Sequence, residues 1–222
     1  RGSTISSVGD FNSITRHPLY HISDNYNEIY KTLAAKLDFV KKELQPITTK
    51  YNGNLTARIK TEAKIKEKLA SDPTFTPQNI SDILGARISL DTIAQAKLVF
   101  SDLNKKFKLI FRDDFLDDIG RTLTKNTEYR RIHLQALTRD GFSFELQVSL
   151  KELDPIIEIS HAIYKKLKYQ KDTLSKSETA SLVKAQEKVE LNLKNKYWEI
   201  KDKEFSRLNP TNDIDFPIVI GT

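Results

Sequence analysis

The chain has 222 residues, with 36 Lys and Arg against 30 Asp and Glu and a formal net charge of +6. Zero Cys excludes disulfides, thiolate zinc centres and cysteine nucleophiles, and no apolar run is long enough to span a bilayer or to serve as a signal peptide. The length suffices for one domain with its own core, and the positive balance favours polyanionic partners, nucleotides or nucleic acid, with a lysine-rich solvated surface as the plainer alternative.

Residues 1–24 lack periodicity and read as a loose lead-in. The absence of Met and the Arg1-Gly2-Ser3 start suggest a piece excised from a longer protein. From Asn25 to Leu44, Ile29, Leu33, Leu37, Val40 and Leu44 recur at helical spacing, with Ser23 or Asp24 as cap and Pro46 beyond the end. Tyr51 to Leu55 reads as a turn around Asn52-Gly53-Asn54, and Thr61 to Ala70 as a short, charged helix. Asp72-Pro73 and Thr76-Pro77 mark a loop. The apolar run within Asp82 to Leu90 predicts a central strand. Thr92 to Lys105 is expected as a helix with Ile93, Ala96, Val99, Phe100 and Leu103 inward, and Phe107 to Phe111 as another strand. Asp113 to Thr127 shows no regular element and reads as a long polar loop, which in a compact domain is usually functional or mobile. Glu152 to Tyr169 predicts a helix, and Lys176 to Arg207 a long one carrying Leu182, Val189, Leu193 and Trp198. This order predicts an α+β core with helical flanks.

Between the loop and the last helices lies a hairpin. Tyr129-Arg130-Arg131-Ile132-His133-Leu134-Gln135 and Phe144-Glu145-Leu146-Gln147-Val148 both alternate, and Asp140-Gly141 sits between them. A two-residue loop would pair Leu134 with Gln147 and mix polar with apolar on each face. A three-residue loop, Arg139-Asp140-Gly141, pairs Ala136 with Phe144, Leu134 with Leu146 and Ile132 with Val148. It also sets Gln135 opposite Glu145 and His133 opposite Gln147. One face is then apolar and the other polar, and a one-residue slip destroys the pattern, so the longer loop is selected. Tyr129, His133 and Glu145 are expected on the polar face.

Three other segments carry charge suited to chemistry. If Lys60, Lys64 and Lys68 lie on one helix, their spacing of four stacks like charges that a polyphosphate would turn to attraction. Asp82 and Arg87 bring an acid and a base to the rim of the expected strand, where Asp82 can hold magnesium; a helix cap and a surface ion pair are the plainer alternatives. Asp113, Asp114, Asp117 and Asp118 form an acidic run that can bind a cation or simply be solvated. His17, His21, His133 and His161 are too scattered for a local zinc motif, and His161, between Ile159 and Ile163, reads as a structural histidine. Seven glycines include no phosphate-cradling loop, so cationic side chains must meet any phosphate. With carboxylates and cations together, transfer of a phosphate-containing group is the chemistry that fits.

In this order, Arg58-x-Lys60 with Lys68, Asp82-x-x-x-x-Arg87, Asp114-Phe115, Tyr129-x-x-x-His133, Glu145-Leu146-Gln147 and His161-x-x-Tyr164 resemble the synthetase domain of the RelA/SpoT alarmone synthetases, over roughly Leu55 to Tyr169. The resemblance implies a mixed, roughly five-stranded sheet of the nucleotidyltransferase-like synthetase type. Helices would flank it, with the synthetase domain at 25–170 and the C-terminal helix and tail, 171–222, packed on the same domain. It implies transfer of pyrophosphate from ATP to a 3′-hydroxyl, with release of AMP. Arg58 and Arg87 would sandwich adenine, and Lys60, Lys64 and Lys68 would hold the ATP phosphates. Asp82 and Glu145 would organise Mg2+, with Glu145 also the base. Tyr129 would stack on the acceptor base, and Arg131, His133 and Gln147 would complete the acceptor side. The chain departs from the family pattern mostly on that side: Glu128-Tyr129 stands for Gly-Tyr, and Ser149-Leu150 follow Gln147-Val148 where the family has Arg-Thr. A guanine nucleotide, an adenine nucleotide and the 3′ end of a tRNA therefore stay open as acceptors, and a catalytically inactive nucleotide- or RNA-binding module on the same fold stays open beside the enzyme. Toxic members of the family add an immunity or antitoxin protein to the expected partners. They also imply a cytoplasmic site of action, reached where needed by secretion into a target cell, and no membrane partner.

Overall fold

Five strands join into one mixed sheet in the computed structural model, which describes residues 26–74, 82–116, 128–139 and 143–208. The strands are β1 (Asn54–Ile59), β2 (Leu84–Leu90), β3 (Lys108–Asp114), β4 (Ile132–Leu137) and β5 (Ser143–Leu150), in spatial order β1-β2-β5-β4-β3. Only β2 and β5 run parallel. The helices are α1 (Tyr26–Lys50), α2 (Glu62–Ser71), α3 (Ile93–Lys106), α4 (Asp154–Tyr169) and α5 (Lys176–Leu208). The α+β class, the five-stranded mixed sheet and the long C-terminal helix are as expected. Among the described residues, no helix is long and apolar enough to cross a membrane.

One face of the sheet is the core. Ala86, Ile88, Leu146, Val148, Ile132 and Leu134 are buried there with Leu33, Val40 and Leu44 of α1 and Ala96, Val99 and Leu103 of α3. The hairpin register is the one the pattern selected: Ile132 opposes Val148, His133 opposes Gln147, Leu134 opposes Leu146, and Gln135 opposes Glu145. The turn residues Asp140 and Gly141 themselves lie outside the described residues, as do the lead-in, the Thr76-Pro77 loop, Asp117, Asp118 and the tail from 209.

Four expectations need correction. Helix α1 does not stop before Pro46 but runs on to Lys50. Pro46 lacks an N–H, yet Leu44, Ile47 and Thr48 are buried around it, and the Thr48 hydroxyl donates to the Leu44 carbonyl at 2.9 Å. Packing outweighs the missing backbone bond. Beyond Lys50 the chain turns through Asn52, with φ of 52°, and Gly53, where a Cβ would meet Leu90 Cδ1 at 3.0 Å and the Ser89 carbonyl at 3.2 Å. Asn54 and Leu55 belong to a strand, not to the turn, and Asp113 and Asp114 end β3 rather than open a loop. In α5 the inward ring is Tyr197, fully buried, whereas Trp198 is 41% exposed.

Candidate active site

Side chains two apart on a strand share a face, so the register builds the polar face row by row. Arg58 on β1 opposes Gly85 on β2, Gly85 aligns with Glu145 on β5, and Glu145 opposes Gln135 on β4. The next row runs from Thr56 through Arg87, Gln147 and His133 to Asp113. Gly85 is the gap in this surface: a Cβ there would meet nothing within 4 Å. Arg58, Arg87 and Glu145 therefore border an open floor, with the two arginines as diagonal neighbours across it.

Asp82 stands two residues before β2, at the edge of that floor. Lys60 follows β1 directly, and its backbone N–H donates to the Ile83 carbonyl at 2.7 Å, which extends the β1–β2 pairing to the site. The Lys60 Nζ donates to Asp82 Oδ2 at 2.5 Å and the Lys68 Nζ to Asp82 Oδ1 at 2.9 Å. Lys60 is thus not on the helix with Lys64 and Lys68. Lys60 leaves the strand and Lys68 leaves α2, and the two converge on one carboxylate, while Lys64 is exposed. Burial works to raise the Asp82 carboxyl, but Lys60 and Lys68 outweigh it and hold it below its ordinary value. For the Lys60 ammonium burial wins, and its pKa is lowered. Glu145 is shifted the other way: burial and then the nearby Asp82 charge raise it, against Lys60, Lys68 and Arg58. The Gln147 amide donates to Glu145 Oε1 at 2.8 Å. Two carboxylates thus lie within electrostatic reach of each other with opposite shifts.

On the other side of Glu145, Tyr129 precedes β4 and folds back so that its hydroxyl lies 2.5 Å from His133 Nε2. Phe115 meets both rings edge-on, with centroids 5.9 Å away in each case. Burial raises the Tyr129 phenol to about 12 and, with Arg131 and His161, lowers His133 to about 4. Both are neutral at pH 7. The Tyr129 hydroxyl and His133 Nε2 share one hydrogen bond, whose direction follows the imidazole tautomer.

Arg131 is placed as a support. Its side chain is 6% exposed and donates to Asp154 Oδ1 at 2.9 Å, to Ser149 Oγ at 3.1 Å and to Gln147 Oε1 at 3.3 Å. Asp154 also accepts from the hydroxyls of Ser89 and Ser149. Glu158, one turn further along α4, takes the Arg87 Nη1 at 2.8 Å. Sequence reasoning missed Asp154 and Glu158. The available signal was their spacing: Asp154, Glu158 and His161 recur as a polar stripe on a helix otherwise rich in isoleucine. His161 itself is solvent-accessible and stacks on Tyr164, so it is not the buried structural histidine its neighbours suggested. Asp114 caps its own turn, accepting from the Leu116 N–H at 2.9 Å.

No group of three or more His, Cys, Asp or Glu suited to a metal exists among the described residues. Magnesium does not need one. It commonly takes one or two carboxylates and completes its shell with water and phosphate oxygens, and Asp82 with Glu145 fits that donor set.

A family model described as the region found in RelA / SpoT proteins matches residues 57–173, more than half of the chain. The chain belongs to the RelA/SpoT family. No curated protein sequence matches it. Small alarmone synthetase 1 from Bacillus subtilis, solved with its product pppGpp, is 19% identical with a TM-score of 0.62, covering 84% of this chain and 100% of that one. A GTP pyrophosphokinase family protein from Streptococcus pneumoniae is 21% identical with a TM-score of 0.58, covering 82% and 95%. Small alarmone synthetase 2 from Bacillus subtilis is 23% identical with a TM-score of 0.57, covering 81% and 100%. At these identities the RelA/SpoT likeness is one of fold, and what this chain does must be argued from its own side chains.

Proposed function

We propose that the chain transfers pyrophosphate from ATP to the 3′-hydroxyl of an acceptor nucleotide and releases AMP. The observation that carries this reading is the open floor at Gly85. It is bordered by Arg58, Arg87 and a Glu145 whose proton affinity is raised, beside an Asp82 gripped by Lys60 and Lys68. Adenine would stack between the Arg58 and Arg87 guanidinium groups, which pack well on aromatic faces. Lys60 and Lys68 then exchange part of their hold on Asp82 for the triphosphate, with the exposed Lys64 alongside. Magnesium, held by Asp82 and Glu145, supplies charge neutralisation on those phosphates when bound.

The chemistry balances simply. The acceptor 3′-oxygen attacks the β-phosphorus of ATP, and its proton passes to Glu145. The bond from that phosphorus to the α–β bridging oxygen breaks, and AMP leaves with the oxygen. Gln147 orients Glu145, Tyr129 offers a stacking face to the acceptor base, and the neutral His133 offers an N–H to an acceptor phosphate. Membership of the RelA/SpoT family and the fold shared with the pppGpp-producing synthetase support the reading.

Incubation with ATP, magnesium and GDP, GTP, ADP or deacylated tRNA in turn tests it, with AMP and product followed by chromatography. Acceptor-dependent AMP release is the expected result. No release with any acceptor, alongside intact ATP binding, would instead assign a nucleotide-binding module without turnover.

A further inference from the structure

Arg87 forms one wall of the proposed adenine clamp, and α4 supplies two carboxylates to it. Both contacts fall on Nη1: Glu158 Oε1 lies at 2.8 Å and Asp154 Oδ1 at 3.7 Å. The two acids are four residues apart on α4 and so share one face of that helix. The N–H bonds of a guanidinium lie in its plane. An anchor at one corner therefore fixes the direction of the plane and leaves its faces for stacking.

The cluster is balanced in charge. Arg131 Nη2 reaches the same two carboxylate oxygens, Asp154 Oδ1 at 2.9 Å and Glu158 Oε1 at 3.4 Å. Two guanidinium groups brought together repel, and two carboxylates beside them offset that repulsion. The two acids act differently. Asp154 also accepts from the hydroxyls of Ser89 and Ser149, which ties it to β2 and β5. The Glu158 carboxylate hydrogen-bonds only the two arginines among the described residues, and its side chain is 57% exposed. Burial works to raise the Glu158 carboxyl, but Arg87 and Arg131 outweigh it and lower it, so it is ionised at pH 7.

We infer that Glu158 is a positioning residue that holds the Arg87 plane ready to stack on the donor base, an inference resting on the adenine clamp in the reading above. A long side chain fixed beforehand in its bound arrangement spares the ordering cost that binding otherwise carries. The effect belongs to the base and not to the phosphates, because Lys60 and Lys68 gather at Asp82 without any contact to Glu158.

Calorimetric titration with magnesium and no acceptor tests this without turnover. The two ligands are a non-hydrolysable ATP analogue and ribose 5′-triphosphate, which keeps sugar and phosphates and lacks the base. Glu158→Ala should weaken binding of the analogue about threefold to tenfold and leave ribose 5′-triphosphate within about twofold. Glu158→Gln, which keeps a neutral acceptor, should fall between. In a chain already carrying Arg87→Ala, adding Glu158→Ala should change the affinity for the analogue by less than about twofold, because the residue it acts through is gone. Alanine is a good helix former at an exposed position, and the thermal midpoint of each variant checks folding. Unchanged or tighter binding of the analogue in Glu158→Ala, an equal loss for both ligands, or the full loss repeated on top of Arg87→Ala would each overturn the inference. Arg58→Ala and Arg87→Ala tell the two failures apart. If both leave the affinity for the analogue unchanged, the adenine clamp fails and this inference falls with it. If Arg87→Ala weakens the analogue and Glu158→Ala does not, the clamp stands and this inference alone fails.

Discussion

At the scale of single residues, the proposed chemistry rests on two carboxylates that share cations but not proton affinities. Burial and Asp82 raise Glu145, while Lys60 and Lys68 prevail over burial to lower Asp82. A general base works only deprotonated, so the rate should rise with pH through a value above that of an ordinary glutamate and then level off. Glu145→Gln should cut AMP release about 10²- to 10⁴-fold with ATP binding retained, measured by chromatography and calorimetry. Asp82→Asn should do something different. It removes the negative neighbour and frees two ammoniums to act on Glu145, and both changes lower the Glu145 pKa. The acid limb of the pH–rate profile should therefore move to lower pH, with a reduced plateau. A limb that stays in place, or moves up, would show that Asp82 does not act on the base. Much of this site was legible before the fold was known, because the alternation around Gln135 and Glu145 fixes which side chains share a face. The meeting of Lys60 with Lys68 was not. Spacing of four offered a shared helix face for Lys60, Lys64 and Lys68, whereas the β1–β2 pairing, carried past the strand end to Ile83, places Lys60 beside the strand.

Elements were read correctly where periodicity was strong and misread where tertiary packing overrides a local signal. The hairpin register emerged from the sequence because a period of two allows only one pairing with a clean core. Strand β1 did not, because Asn54–Ile59 is an edge strand whose alternate residues are exposed and an Asn-Gly turn signal sits directly before it. Helix α5 illustrates the same limit in finer detail. The sequence reading named Trp198 among the apolar residues of this helix, but one residue of helical phase places Tyr197 in the core and leaves Trp198 outside. Tyr197 lies under the buried Arg130, with the guanidinium carbon 3.8 Å from the ring centroid. Tyr197→Ala should thus leave both a cavity and a buried cation without its aromatic face, at about 3–5 kcal/mol, lowering the melting midpoint by roughly 10 °C. Trp198→Ala, at a site 41% exposed, should cost about 1 kcal/mol or less. Paired melting curves decide the phase of the helix: the reverse ranking would place Trp198 inside.

For the whole molecule, the question is whether α5 is an appendage or part of the domain that carries the nucleotide site. The sequence reading divided the chain near residue 170 and expected the C-terminal helix to pack on the same domain. Leu193, Tyr197 and Ile200 are buried in the same core as the sheet. Arg130, which leads into β4, rests on Tyr197. Further along, the Glu204 carboxylate accepts from the Ile93 and Ala94 N–H groups at 2.9 and 2.6 Å, so the last turns of α5 satisfy the first turn of α3 beside its Thr92–Gln95 capping box. A carboxylate at a helix N-terminus contributes about 1 kcal/mol, and Glu204→Ala should lower the midpoint by a few degrees with one transition preserved. Removal of α5 is a larger change. A chain ended after Ser175 keeps Arg58, Lys60, Asp82, Arg87 and Glu145, yet uncovers Ile157 and takes the Tyr197 ring away from Arg130. Such a chain should lose its single cooperative thermal transition and, with it, ATP-analogue binding, although no residue of that site has been deleted. A truncated chain that melts in one sharp step and still binds the analogue would show instead that the sheet and its first four helices fold as an independent unit.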